Sequence, residues 1–220
     1  MRRARSLVLL LALLTGAIGL LRSAPAEAHP HVWIDIQTTL VFDGEGRIVA
    51  VRSVWLFDEL YSDFVVADLK QAGGDVARGI DRLTDDTIGS LADYGYFTSI
   101  KVDGTPVGTE TVARYSGEVR EGRMRMSLDL PLTRPLDPRG RDVTLRTFDP
   151  FFYIEMLHGS VAAVRLDGDR RPACDLALEP PTPPKEAVNL AASLDQSQAR
   201  ADDSLGALFA ETVRITCDAP

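Results

Sequence analysis

Val32-Trp33-Ile34-Asp35-Ile36-Gln37-Thr38-Thr39-Leu40-Val41-Phe42 alternates apolar and polar residues with a period of two. Val32, Ile34, Ile36, Leu40 and Phe42 fall on one side, and His31, Trp33, Asp35, Gln37 and Thr39 fall on the other. Successive side chains of a strand point to opposite faces, so the pattern specifies a strand with one buried face. Asp43-Gly44-Glu45-Gly46 then supplies turn residues, and β-branched and aromatic character resumes over 47–57, so the two runs read as a β-hairpin. The Gly44-x-Gly46 pair leads into a strand and lacks a third glycine, which excludes a nucleotide-binding loop.

Downstream the period changes. Leu60, Phe64, Val65 and Leu69 stand near helical spacing over 58–71, with Asp58 placed as an N-cap and Gly73-Gly74 as a stop. A second helix is expected over 80–92. Short strands return at 97–102, 109–119, 123–130, 142–148, 151–157, 161–166 and 173–179, with turns at Asp103-Gly104 and Glu121-Gly122. Their close spacing suggests antiparallel pairing. The prolines of 180–184 cannot continue a central strand and read as an extended linker. Beyond it, 187–199 and 204–210 favour helix, and Val213-Arg214-Ile215-Thr216-Cys217 reads as a final strand.

The expected class is therefore α+β. It is mainly antiparallel β in a sandwich-like arrangement, with a helical insertion near 58–93 and a helical C-terminal segment. The expected organisation is a β-rich domain over 29–179, a proline-rich linker at 180–186, and a C-terminal segment over 187–220.

Upstream of the hairpin, Arg2, Arg3 and Arg5 precede an almost unbroken apolar run over 7–21, and Ala26-Glu27-Ala28 offers the small-x-small pattern that a signal peptidase cuts. The apolar run falls short of the roughly 20 residues that span a bilayer, and no second one follows. The chain is thus expected to lose 1–28, to begin at His29 and to reside in the periplasm. Of 24 basic and 32 acidic residues, processing removes four arginines and one glutamate. That leaves 20 against 31, a shift in net charge from −8 to −11. A chain this acidic is repelled by phosphate, so nucleic acid is not an expected partner, while cations are concentrated around it.

Cys174 and Cys217 are the only cysteines. Export places them in an oxidising compartment, where a disulfide is the expected state. On the chain-entropy model a loop of that length contributes about 4 kcal/mol. Two thiolate metal ligands are the alternative, but no C-x-x-C spacing is present.

The histidines are His29, His31 and His158, and two of them fall within the first three residues of the processed chain. A terminal histidine offers its amine and ring nitrogen together, and a second imidazole two residues along a strand lies on the same face. Nickel, cobalt, zinc and copper all accept such donors. Pro30 has no amide hydrogen to lose, which excludes the square-planar terminal site built from deprotonated amide nitrogens. Asp35, Asp149 and His158 are the candidates for completing or orienting a site with His29 and His31. Glu155, Asp58 and Glu59 are further carboxylates within reach of the pattern. Catalytic constellations are thin, since His158-Gly159-Ser160 is a sequence neighbourhood only and no G-x-S-x-G elbow occurs. No catalytic residue and no organic cofactor site is assigned.

His29-Pro30-His31-Val32-Trp33-Ile34-Asp35, Trp55-x-Phe57-Asp58-Glu59-x-Tyr61-Ser62, Tyr96-Phe97, Phe148-Asp149-Pro150-x-Phe152-Tyr153 and Leu205-Gly206-x-x-Phe209-Ala210-x-x-Val213-x-Ile215-x-Cys217 complete the pattern. Together they resemble a family of exported bacterial proteins of unknown function, described as uncharacterised ABC-type transport periplasmic components. The resemblance implies a periplasmic protein associated with transport, with an inner-membrane metal permease or ABC-type transporter as partner and nickel or cobalt as cargo. Three classes of function follow. The first is a transition-metal-binding accessory of a nickel, cobalt or zinc transport system. The second is an interaction module that uses Trp33, Trp55 and an acidic surface without metal. The third is a copper enzyme built on the terminal histidine.

Overall fold

The computed structural model describes residues 30–194 and 204–219. The expected signal segment, His29 and the part of the expected C-terminal helix beyond Leu194 lie outside the described residues. β1 (Val32–Phe42) and β2 (Ile48–Phe57) form the expected hairpin, in antiparallel register from Ile34↔Phe57 to Phe42↔Ile48. Its turn is held by the Asp43 carboxylate, which accepts the backbone N–H of Glu45 and of Arg47 at 2.9 Å each. Gly46 takes φ +77° there, a left-handed conformation that side chains disfavour. Val32, Ile34, Ile36, Leu40 and Phe42 are buried, as the alternation requires. Each contributes roughly 1.5–3 kcal/mol by leaving water, and a slip of one residue would expose them all.

Asp58 ends β2 and caps α1 (Glu59–Gln71), its carboxylate accepting the N–H of Tyr61 at 2.8 Å. α2 (Val76–Leu91) begins earlier than the apolar spacing indicates, because Asp75 caps it through the N–H of Arg78. A 3-10 turn leads to β3 (Thr98–Val102) and β4 (Thr105–Val107). The expected strand over 109–119 forms only from Arg114, as β5 (Arg114–Arg120), and β6 (Arg123–Leu136) runs past its expected end. Then come β7 (Asp142–Thr147), β8 (Ile154–Leu157), β9 (Val164–Asp167) and β10 (Cys174–Glu179). After the prolines follow α3 (Lys185–Ser193), α4 (Leu205–Leu208) and β11 (Thr212–Cys217). Among the described residues no helix is long and apolar enough to cross a membrane.

The strands make two sheets. One is ordered β5-β6-β2-β1-β8, with β9 also on β1, and the other β10-β11-β7-β3-β4. Pairing is antiparallel throughout except at β8 and β9, which both run parallel to β1. The architecture is thus mainly antiparallel, as expected, with two parallel pairings that the sequence pattern does not indicate. A period of two reports which face is buried and is blind to strand direction, which is set by where the chain returns. Here the chain leaves β7 in the second sheet and re-enters the first beside β1.

Two of the three apolar clusters among the described residues lie against the hairpin. Ile34, Ile36, Trp55, Phe57 and Met126 pack with Val65, Ile80, Ile88 and Leu91 of the helices. Leu40, Phe42, Ile48 and Val51 pack with Val143, Leu145, Val213 and Ile215 of the second sheet. The buried face of the first sheet is thus shared between the helical insertion and the second sheet. Thr38 and Ser53, register partners on the hairpin and each 1 % exposed, lie between the two clusters.

The C-terminal segment is part of this body. β11 lies inside the second sheet between β10 and β7, and Cys174 faces Cys217 in register and is disulfide-bonded to it. The Phe152 and Phe209 rings stack at 3.8 Å, above Ala187, Ala191 and Leu205. Gly206 permits this approach: its N–H donates to the Pro150 carbonyl at 2.8 Å, and a Cβ there would stand 1.7 Å from the Asp149 carbonyl oxygen.

Candidate functional site

His31 stands one residue before β1, and its place is fixed by the turn that precedes β8. The His31 N–H donates to the Tyr153 carbonyl at 2.9 Å, and the two rings lie 4.8 Å apart, tilted by 40°. Asp149 builds that turn. It is 4 % exposed, and its two carboxylate oxygens accept the N–H groups of Phe151 and Ile154 at 3.0 Å each. These bonds hold Phe152 at φ +57°, a conformation that costs a non-glycine residue about 1–3 kcal/mol and that the surrounding contacts impose. Asp149 therefore acts on His31 through Tyr153.

Asp35 lies on the solvent face of β1, 71 % exposed at its side chain, and pairs with Arg123 at 2.9 Å. Asp58 ties the start of β1 to the start of α1. Its Oδ2 accepts the Trp33 N–H at 3.0 Å while its own N–H donates to the Trp33 carbonyl at 2.9 Å. Glu59 is exposed in the first turn of α1. Glu155 sits beside Trp33 in the parallel register of β1 and β8. Burial pushes its carboxyl up and the charge of Glu211 adds to the shift, with a hydrogen bond from Trp33 opposing both.

His158 occupies the break between β8 and β9. Register runs from Asp35↔Leu157 to Thr38↔Val164, so 158–163 leave the sheet opposite two residues of β1. The His158 side chain, 2 % exposed, turns inward at the break. Its Nε2 lies 2.9 Å from the Thr38 hydroxyl and its Nδ1 lies 3.2 Å from Glu211 Oε2. The backbone N–H of His158 donates to the same Glu211 oxygen at 2.6 Å. An ionised carboxylate only accepts, so Nδ1 carries the proton and, in the neutral ring, Nε2 accepts from Thr38. Burial opposes ionisation of Glu211, but the hydrogen bonds from the His158 ring, the His158 N–H and the Gly159 N–H outweigh it and hold the carboxyl below its ordinary value.

Among the described residues, no group of three or more His, Cys, Asp or Glu side chains is placed to hold a metal ion. His31 and Asp149 share one turn, His158 joins the interior polar seam, and Asp35 faces solvent, while His29 lies outside the described residues. Sequence reading missed Glu211 and Thr38. Glu211 is a lone acid ahead of a strand, and nothing in Ala210-Glu211-Thr212 signals that its side chain points between two sheets.

A family model described as "Protein of unknown function (DUF1007)" matches residues 14–217. An uncharacterised protein of Haemophilus influenzae is 30% identical over 207 residues, which cover 91% of this chain and 97% of that protein.

Proposed function

The chain belongs to the DUF1007 family of proteins of unknown function, and we propose that it is an exported, periplasmic accessory protein of metal transport. In this reading it holds a divalent transition-metal ion at its processed N-terminus and passes it to, or modulates, an inner-membrane permease or ABC-type transporter. His29 contributes its amine and imidazole, and His31 the second imidazole, a donor set suited to nickel, cobalt, zinc or copper. The observation that supports the reading is the anchoring of His31, whose backbone and ring are both fixed against Tyr153 two residues from the new terminus. An imidazole held in place loses less freedom when it binds. Asp149 is assigned to shaping the Tyr153 turn, since both its oxygens serve backbone N–H groups. His158 and Asp35 are assigned outside the ligand set, because Glu211, Thr38 and Arg123 engage them.

Calorimetric titration of the chain beginning at His29 with nickel, cobalt, zinc and copper(II) tests this, beside the double variant His29→Ala, His31→Ala. Stoichiometric binding that disappears in the variant is expected. Absence of binding tighter than about 10 μM, roughly −7 kcal/mol, for every ion sinks the reading. A second reading, the interaction module, loses Trp55, which is buried at 1 % exposure, and is favoured instead by Leu60 and Phe64. They lie one turn apart on the outer face of α1 and are 79% and 68% exposed. A photo-crosslinker at position 64 that captures no envelope protein in cells would count against it.

A further inference from the structure

A groove of about 370 Å³ separates the edge strand β10 from the turn that carries Gly159, Ser160 and Val161. That volume lies within the range of small-molecule sites. Leu176, Leu178 and Pro180 form one apolar wall and Val161 the other. Glu211 is the single charged residue that lines it, at 8 % exposure. Among the described residues the ion-pair contact of Glu211 is with His158, and no lysine or arginine lies within that distance. The hydrogen bonds from His158 and Gly159 occupy part of the roughly four acceptor positions of a carboxylate. An ionised carboxylate beside apolar walls leaves a negative potential that water screens weakly. The same field reaches Glu155, where it adds to the upward push of burial.

We propose that this groove binds a small organic cation, an alkylammonium whose N–H donors meet the Glu211 carboxylate and whose hydrocarbon body lies along Leu176, Leu178 and Val161. A bare metal ion suits the site poorly, since apolar walls cannot replace its hydration shell and the groove brings one carboxylate only. An ammonium carries three donors and its own apolar body. The site is separate from the terminal histidines and does not depend on the metal reading.

The test is amide-resolved NMR titration of the processed chain with n-butylammonium, with n-butanol as the neutral counterpart. Saturable shifts centred on Gly159 and Ala177 are expected for the ammonium, with a dissociation constant near or below about 1 mM, and none for the alcohol. Glu211→Gln, which keeps an acceptor oxygen for His158, is expected to weaken binding at least about tenfold. Val161→Arg places a cation at the mouth of the groove from a position already 42% exposed, and is expected to do the same without touching the interior. The His29→Ala, His31→Ala variant is expected to bind unchanged. Failure to saturate below about 10 mM, equal binding of n-butanol, or undiminished affinity in Val161→Arg overturns the proposal.

Discussion

His158 and Glu211 join the two sheets. The carboxylate just ahead of β11 accepts both the ring Nδ1–H and the backbone N–H of the residue that follows β8. The ring continues to Thr38 on β1, so a polar path runs between the two apolar clusters from one sheet to the other. A buried polar path stabilises only while each member is satisfied.

Glu211→Ala leaves two buried donors of His158 without their acceptor, and is expected to cost about 1–3 kcal/mol of unfolding free energy. Urea denaturation at neutral pH measures it. Glu211→Gln is expected to cost less, because its amide oxygen still accepts; equal losses in the two variants would contradict the assigned role.

Acid acts on the same group. The folded Glu211 carboxyl titrates below its ordinary value of 4.5, so the folded state takes up its proton less readily than the unfolded chain. Its contribution is present above the unfolded value and is lost as pH falls through that value toward the folded one. Stability followed from pH 6 to pH 3, roughly the window around an ordinary carboxylate, is expected to fall less steeply in Glu211→Gln than in the parent chain.

Glu155 has the opposite sign. Burial and the Glu211 charge raise its carboxyl above 4.5, so ionisation at neutral pH is less favourable folded than unfolded. Stability from this group rises as pH falls through the raised value toward the unfolded one. Glu155→Gln is therefore expected to raise the thermal midpoint at pH 7 and to have little effect near pH 4, roughly where the carboxyl is already protonated. A lower midpoint at pH 7 would show that the Trp33 contact outweighs the charge.

Asp149→Ala removes the acceptor of two N–H groups in the turn that carries Tyr153. About 1–3 kcal/mol of stability is expected to be lost. The His31 ring resonances should shift with it, since that turn carries the Tyr153 carbonyl to which the His31 N–H donates. Unchanged His31 resonances would detach Asp149 from the terminus.

Reduction of the Cys174–Cys217 bond opens a loop with a sequence separation of 43. The protein is expected to lose up to about 4 kcal/mol on the chain-entropy model, read as a drop in urea midpoint on adding reductant. The Cys174→Ser, Cys217→Ser variant should match the reduced protein and ignore the reductant.

The hairpin 32–57, the Asp58 cap, α1, the glycine turns and the final strand were legible because each is written in local terms: a period, a cap or a turn residue. The sequence by itself also determined the disulfide, since two cysteines admit one intrachain pair. Strand direction at β8 and β9 was not legible. Neither was the inward turn of His158, the seat of Glu211, nor the role of Asp149 as builder of a turn. Tertiary structure alone decided these. Their partners lie 53 residues apart for His158 and Glu211 and 120 apart for Thr38 and His158. At such separations local propensity carries no information, and the meeting is fixed by how two sheets and a helical pair close over one hairpin.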